Sequence, residues 1–195
     1  IQNSAVIFGI STGAGELLVD DIMIDEVKGA LSGSGGTSIS KSDAYEANML
    51  VNGGFETETT GWTLREKDFD PEGKISISDK SLSGDSAVAV KSSGKGKIYI
   101  FQDVAIEKTG TYQLTANFKK LSGKSSLKPY LYLYNRDTTK APETIVGNIS
   151  SFKYNKVVAK FEITEKPTQK IAIGLGISSG IGEILIDDVI FELLE

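Results

Sequence analysis

Hydrophobic and polar residues alternate along most of the chain after residue 52, and turn-forming residues interrupt the alternation about every ten residues. Successive side chains of a β-strand point to opposite faces, so strict alternation indicates strands with one buried face. The clearest case is 111–120, where one face carries Tyr112, Leu114, Ala116 and Phe118. No stretch shows a helical period of similar length. The pattern therefore predicts an all-β fold, a two-sheet antiparallel sandwich.

The same pattern places the other strands. It predicts strands at 74–78, 87–91, 97–106, 127–134 and a segment that carries Val157, Ala159, Phe161 and Ile163. Ser83-Gly84-Asp85 forms a turn between the first two. The last two predicted strands, 170–178 and 183–194, are apolar on both faces for much of their length. We therefore expect them to take central, well-covered positions in the sheets.

An internal repeat indicates how the chain is divided. Residues 2–27 match residues 169–194 without a gap, and Asp20-Asp21 corresponds to Asp187-Asp188. The segment between them is rich in Gly and Ser, which is typical of a linker. We predict that 1–27 are the last two strands of a preceding or partner module, 28–45 a linker, and 46–195 one complete module. Because two strands alone are not stable, 1–27 are a remnant, complete a neighbouring sheet, or pair with their own module's edge.

Composition narrows the chemistry. The 195 residues include no Cys and no His, which excludes disulfides, thiolate nucleophiles, zinc-thiolate sites and imidazole bases. Oxygen-ligated ions such as calcium or magnesium are the metals that remain. A net charge of −5 argues against a nucleic-acid partner, since such binding depends on Lys and Arg. No apolar run reaches the roughly 20 residues of a membrane span.

A string of short motifs resembles a known family. The motifs are Asn52-Gly53-Gly54-Phe55-Glu56, Gly61-Trp62, Gln102 before Val104, Gly110-Thr111-Tyr112, and Ile186-Asp187-Asp188-Val189. In order and spacing they resemble the jelly-roll carbohydrate-binding modules of families 4, 9, 16 and 22, with family 16 the most similar. The resemblance implies a jelly roll that binds polysaccharide without cleaving it. It also implies a place in a secreted or cell-surface bacterial protein and a structural calcium ion near the joined chain ends.

The candidate calcium ligands lie at the two ends of this module. Gly54 and Glu56 belong to its first motif, and Asp187 and Asp188 to its last. First and last strands are neighbours in such a roll, so these oxygens converge if the resemblance holds. The alternative is that the carboxylates only accept hydrogen bonds in turns, and the choice between the two Asp residues stays open. The acidic stretch 68–73, with Asp79 at the twelfth position, is only weakly similar to an EF-hand loop and is predicted to be a solvated loop.

Three tyrosines form the sharpest ligand hypothesis. Tyr130, Tyr132 and Tyr134 alternate with Leu131 and Leu133, so they point outward if the leucines point inward. Aromatic rings pack against the C–H faces of sugars, and a row at i, i+2 and i+4 makes a platform for successive rings. The alternative is that these tyrosines stabilise the sheet or lie under a neighbouring segment.

Three further residues are candidates for sugar contacts. Gln102 and Gln113 match positions where glutamines bind sugar hydroxyls in the family-16 modules that this chain resembles. Gln113 falls on a polar face, but Gln102 shares the face of Ile100 and Val104 unless a bulge intervenes. Trp62 is a possible stacking residue, although the Gly-Trp of this motif is more often buried.

Two functions follow from these patterns. The first is a non-catalytic, calcium-stabilised module that binds polysaccharide or a cell-wall glycan. The alternative is a structural or assembly module of a surface layer, fibre or adhesin, in which residues 1–27 bind copies of the chain or adjacent modules. Catalysis is not expected, because no pair of carboxylates has a spacing that distinguishes it from the many others.

Overall fold

The computed structural model describes residues 48–66, 70–138, 143–146 and 149–194, with the side chains of 143–145 excepted. The predicted tail at 1–27 and the linker at 28–45 lie outside these residues. The described part of the chain contains ten β-strands and no helix. It accordingly contains no helix that is long and apolar enough to cross a membrane.

The strands form two five-stranded antiparallel sheets. Sheet A has, in spatial order, β1 (Thr63–Arg65), β4 (Ile98–Val104), β9 (Ile171–Ser179), β6 (Lys128–Tyr134) and β7 (Glu143–Ile145). Sheet B has β2 (Lys74–Ser78), β3 (Ala87–Ser93), β10 (Ile181–Leu193), β5 (Gly110–Gly123) and β8 (Asn155–Ile163). Consecutive strands thus tend to alternate between sheets, and the predicted two-sheet β-sandwich of the jelly-roll type is confirmed.

The core lies between the two sheets and is built from the alternating apolar residues. The four apolar residues predicted to share a face of β5 are all buried, as are Ile98 and Ile100 of β4 and Leu131 and Leu133 of β6. Phe55 and Trp62 belong to this cluster, with ring centroids 5.4 Å apart. Burying this many aliphatic and aromatic side chains supplies the main stabilising free energy of the sandwich.

The last two strands occupy the central position of each sheet. β9 lies between β4 and β6, and β10 lies between β3 and β5. The chain passes from one sheet to the other at Gly180, whose φ is +91°. A Cβ there would stand 2.5 Å from the carbonyl oxygen of Ser126, so only glycine fits this crossing. The expectation of central, covered strands is confirmed, and the repeated segment corresponds to one central strand of each sheet.

Two strands were not predicted. β1 and β7 have three residues each and lie at the edges of sheet A. A three-residue strand shows too little alternation to be recognised, so only its pairing with a longer neighbour defines it. β5 also extends three residues beyond its predicted end at 120, because it stays paired with β10 as far as Gly123.

The first described segment docks on an irregularity in the last strand. The pairing of β10 with β5 slips between Asp187 and Ile190, and Asp188 has φ of +47°. At this bulge the Val189 amide donates to the Gly53 carbonyl at 2.9 Å. The Met49 amide donates to the Phe191 carbonyl at 2.8 Å. The beginning and end of the module are therefore neighbours, as the jelly-roll resemblance implies.

Candidate functional site: the aromatic face of sheet A

The central strand of sheet A presents almost no side chains on its outer surface. Ile171, Ile173 and Leu175 of β9 are buried in the core. The intervening residues, which point outward, are Ala172, Gly174 and Gly176. Because the largest of these outward groups is a methyl, the surface above β9 is open to rings from the strands on either side.

Rings from β4 and β6 fill this space. Tyr99 and Phe101 of β4 and Tyr130, Tyr132 and Tyr134 of β6 share the outward parity of the β9 glycines in the strand register, and we call these five residues the aromatic face. The Tyr99 ring lies edge-on to Tyr132, with centroids 5.7 Å apart and planes at 82°. It meets Tyr130 in the same way at 6.3 Å. The rings therefore meet above β9 in the edge-to-face geometry that aromatic pairs prefer.

Gly174 is required by this arrangement. A Cβ at Gly174 would lie 2.1 Å from a ring carbon of Tyr132. The Tyr132 ring thus rests directly on the glycine backbone, and its neighbour Tyr130 stacks on it at 5.8 Å with planes 15° apart. Burial raises the pKa of the Tyr132 hydroxyl well above its ordinary value, which keeps the phenol neutral.

The three predicted tyrosines point outward but differ in exposure. Leu131 and Leu133 are buried in the core, which confirms the parity expected for β6. Tyr130 is only 2% exposed, Tyr132 is half-buried, and Tyr134 is 37% exposed. The row is therefore a graded surface, covered at Tyr130 and open at Tyr134, and not a flat platform of three equivalent rings.

Charged groups surround the rings. The Arg65 guanidinium carbon lies 5.6 Å from the centre of the Phe101 ring, and the Lys97 ammonium lies 5.3 Å from that of Tyr130. Arg136, two residues beyond Tyr134, donates to a carboxylate oxygen of Asp103 at 2.6 Å. The face thus combines apolar ring surface with hydrogen-bond donors and acceptors along its border, which is the combination that sugars need.

Two of the residues predicted to contact sugar are buried inside the domain. Gln102 is 7% exposed, and its amide donates to the Val51 carbonyl at 3.0 Å and accepts from the Val51 amide at 2.8 Å. Trp62 is 6% exposed, packs on Phe55, and donates from its indole nitrogen to the Asn52 carbonyl at 3.1 Å. No bulge turns Gln102 outward, so neither side chain is open to a sugar in this structure. Both residues hold the first segment of the module against the sandwich.

Gln113 lies on the other side of the molecule. It points outward from β5 in sheet B, and its amide lies 3.3 Å from the Glu192 carboxylate. The outer faces of the two sheets point in opposite directions, so Gln113 and the tyrosines do not meet. Gln102 and Gln113 also lie apart from each other, because β4 and β5 are consecutive in the chain but belong to different sheets.

The predicted calcium ligands meet around one loop, residues 82–86. Asp187 is fully buried, and one of its carboxylate oxygens accepts hydrogen bonds from the amides of Leu82 and Ser83 at 2.7 and 3.3 Å. The Glu56 carboxylate accepts from the amides of Asp85 and Ser86 at 2.9 and 3.3 Å. Asp188 accepts from the Ser83 hydroxyl at 2.7 Å. We call Glu56, Asp187 and Asp188 the carboxylate cluster; Gly54, the fourth predicted ligand, is buried in the adjacent turn.

The cluster fits a calcium ion only in part. A carboxylate has about four lone-pair positions, so Glu56, which accepts one backbone hydrogen bond at each oxygen, keeps acceptor capacity. Burial, only partly offset by hydrogen bonds, raises the pKa of Asp187 to about 6, and a nearby cation would relieve the cost of the charge. However, within the described ranges no group of three or more acidic side chains is placed to hold a metal. Backbone oxygens would have to complete the shell.

One acidic residue outside the cluster differs from its prediction. Asp70, expected in a solvated loop, is fully buried. Its carboxylate accepts from the Ser92 hydroxyl at 2.9 Å and the Ser93 amide at 2.8 Å, and the Ser93 hydroxyl donates to it as well. Asp70 therefore fixes the end of β3. Asp68, the other acid at the start of this stretch, lies outside the described residues.

The aromatic face, on the outer surface of one sheet of a jelly roll, agrees with a comparison to known families. Residues 47–173 match the family model of the carbohydrate binding domain CBM_4_9. The chain belongs to this family. No curated protein matches the chain significantly.

Solved structures similar to this carbohydrate-binding domain share its fold at low sequence identity. A xylan-binding CBM22 domain from Paenibacillus barcinonensis Xyn10C is 13% identical, with a TM-score of 0.54, over 70% of this chain and 88% of that one. TmCBM61, solved with β-1,4-galactotriose, is 18% identical, with a TM-score of 0.53, over 75% and 99%. The enzymatically active domain of tailspike protein 4 of bacteriophage CBA120 is 14% identical, with a TM-score of 0.60, over 76% of this chain. This chain spans only 22% of that tailspike structure.

Sequence reasoning missed two of the five residues in the aromatic face of this carbohydrate-binding domain. Tyr99 and Phe101 alternate with the buried Ile98 and Ile100, so the sequence indicates their outward direction, but they were not among the predicted sugar contacts. β4 and β6 are separated by β9 in the sheet although β9 follows both in the chain. Only this strand order brings Tyr99 against Tyr132.

Proposed function

We propose that this domain is a non-catalytic module that binds polysaccharide on the aromatic face of sheet A. One observation carries the proposal. Aromatic rings from β4 and β6 meet over the glycines of β9, and the surface they form opens toward Tyr134. Family membership supports carbohydrate as the ligand class. A secreted or cell-surface location within a larger protein is part of the same proposal.

The mechanism is stacking plus hydrogen bonding. The exposed parts of Tyr132 and Tyr134 offer ring surface for the C–H faces of sugars, at a spacing of two residues along β6. The carboxylate of Asp103 and the guanidinium of Arg136 lie at the border, where sugar hydroxyls can donate to one and accept from the other. Because the rings are held by one another, little side-chain entropy is lost when a sugar binds.

The test is retention on affinity gels that contain xylan or β-1,4-galactan, the ligand classes of the similar structures. We expect Tyr132→Ala to weaken retention about tenfold, since stacking and area burial of one ring are lost. Two variants serve as controls. Gln113→Ala changes a residue of sheet B, and Phe152→Ala removes an aromatic ring that is 91% exposed but lies outside the aromatic face. Equal losses in all three variants, or no retention of the wild type across a panel of neutral and acidic glycans, would contradict the proposal.

Calcium at the carboxylate cluster is a separate proposal. It is supported by the buried Asp187 carboxylate with its raised pKa and by the carboxylates of Glu56 and Asp188, which accept hydrogen bonds from the same 82–86 loop. Calcium takes six to eight oxygens, so carbonyls near Gly54 would have to contribute. The role would be structural, because the cluster joins the first segment, the 82–86 loop and the last strand.

An assembly role is the second candidate function. Residues 2–27 repeat the sequence of β9 and β10, and each of these strands is central in its sheet. A segment with this pattern suits completion of another sandwich, to which it would contribute backbone hydrogen bonds. Removing residues 1–27 is expected to abolish any oligomer of this kind, as measured by sedimentation. An unchanged mass would contradict it.

A further inference from the structure

The outer edge of sheet B is formed by β8, the longest of the four edge strands among the described residues. It has nine residues, against five for β2 and three each for β1 and β7. One side of β8 pairs with β5 along its whole length. Within the described ranges no strand pairs with its other side. A long strand with unpaired backbone groups is a template for another strand.

The side chains of β8 divide cleanly between its two faces. Ala159, Phe161 and Ile163 are buried in the core, with Val157 packed against it. The outward residues Lys156, Val158, Lys160 and Glu162 are all exposed. Val158 is 47% exposed, and Phe152, three residues before the strand, is 91% exposed. Two of the large exposed hydrophobic residues therefore accompany this edge.

The order of the outward side chains is complementary to itself. In an antiparallel pair of two copies of β8 with the twofold axis at Ala159, Lys156 of each copy faces Glu162 of the other. Val158 then faces the aliphatic stem of Lys160. Cross-strand pairs of opposite charge stabilise a sheet, and long Lys stems cover apolar neighbours. The inward apolar residues of the two copies form one continuous layer in this register, because opposed residues share a face.

The neighbouring registers are unfavourable. A shift of one residue would place outward side chains of one copy beside inward side chains of the other. Moving the axis to Val158 opposes Lys156 and Lys160 twice, and moving it to Lys160 opposes that residue with itself. Like charges directly opposite each other destabilise a strand pair. The register centred on Ala159 pairs all nine residues of β8 without opposing like charges, whereas axes at Val157 or Phe161 leave only five residues of each strand paired.

We propose that this chain forms a homodimer through β8, with two copies paired antiparallel about Ala159 into one continuous ten-stranded sheet. The aromatic face lies on the other sheet and stays open in this dimer. The dimer therefore presents two glycan-binding faces, but the inference does not depend on the ligand.

Sedimentation equilibrium of the full chain tests the proposal. We expect a mass of twice 20.9 kDa at concentrations of tens to hundreds of micromolar. Lys156→Glu and Glu162→Lys each place like charges opposite each other twice, so each is expected to weaken dimerisation about tenfold. The double variant K156E/E162K restores both pairs in exchanged positions and is expected to regain the dimer.

The matched control is Lys74→Glu on β2, the opposite edge of the same sheet, which makes the same change of charge. It is expected to leave the dimer unchanged. A wild type that stays monomeric at all concentrations overturns the proposal, as does a double variant no better than the single ones. Glycan retention of K156E at low gel density is expected to equal that of the wild type, so failure here is distinct from failure of the proposed function.

Discussion

The aromatic face and the carboxylate cluster both contain residues that the sequence predicted as binding residues. The two regions differ in how far these side chains are covered and hydrogen-bonded by the chain itself. In the cluster, Asp187 is fully buried and accepts hydrogen bonds from three backbone amides, those of Leu82, Ser83 and Asp188. On the face, Tyr134 remains 37% exposed at the open end of a ring cluster. The Asp187 carboxylate therefore stabilises the chain itself, whereas part of the aromatic face remains accessible to a ligand.

This difference separates stability from binding. A buried carboxylate that accepts several N–H groups costs much free energy to remove, because its donors are left without partners. A half-exposed ring costs less to remove but offers surface that only a ligand would cover. The two regions should therefore respond in opposite ways to substitution.

The largest expected effect on stability is that of Asp187→Ala. Loss of the carboxylate leaves the Leu82 and Ser83 amides without their acceptor, and the free energy of unfolding should fall by about 3 kcal/mol. Urea denaturation followed by circular dichroism measures the change. Asp85→Ala, an exposed residue of the same loop, is the control and should change stability by less than about 0.5 kcal/mol. Equal effects of the two variants would show that the cluster does not hold the loop.

A smaller effect is expected for Gly174→Ala on the aromatic face. The new methyl would collide with the Tyr132 ring, so the ring must move and stability should fall by about 1 to 3 kcal/mol. In the Tyr132→Ala background the same substitution should cost much less, because the group it strikes is gone. A double-mutant cycle from urea denaturation gives this coupling. Additive effects would contradict the contact between Gly174 and Tyr132.

Calcium should have a further, pH-dependent effect on the cluster. At ten times its dissociation constant, a calcium ion that binds only the folded state adds about 1.4 kcal/mol to the free energy of unfolding. The pKa of Asp187 is raised to about 6, so protons compete with the ion below that pH, and the stabilisation should be present above pH 6 and fade below it. Thermal unfolding with calcium or a chelator at pH 5 and pH 7.5 measures this. A melting temperature unaffected by chelator at pH 7.5 would mean that no calcium is bound.

The smallest effect on stability is expected for Tyr134→Ala. Its ring is the most exposed of the five, so the free energy of unfolding should change by less than about 0.5 kcal/mol. Glycan affinity should still fall several-fold, since this ring lies at the open end of the face. Calorimetric titration together with urea denaturation separates the two quantities. A loss of stability without loss of affinity would contradict the view that Tyr134 contributes to binding and not to stability.

Much of the fold was predictable because it depends on local alternation. The inward sets of β5 and β6 and the outward direction of the three tyrosines follow from the parity of neighbouring residues. The central place of β9 and β10 follows from their apolar residues on both faces. The motifs of the first and last segments indicated correctly that these segments meet. The site was less predictable: Gln102 and Trp62 turned out to anchor the chain internally, and Tyr99 and Phe101 were not recognised.

The sequence by itself determined which residues face inward and where most strands begin, whereas the approach of Asp187 and Asp188 to Glu56 was implied by the family resemblance. Strand parity and turn formation depend on residues only a few positions apart, so both can be recognised directly in the sequence. Only the tertiary structure decided that β9 separates β4 from β6, that rings from both meet over Gly174, and that Gln113 lies on the opposite surface. Those outcomes depend on strand order, which is set by the packing of two sheets over one core and not by neighbours in the chain.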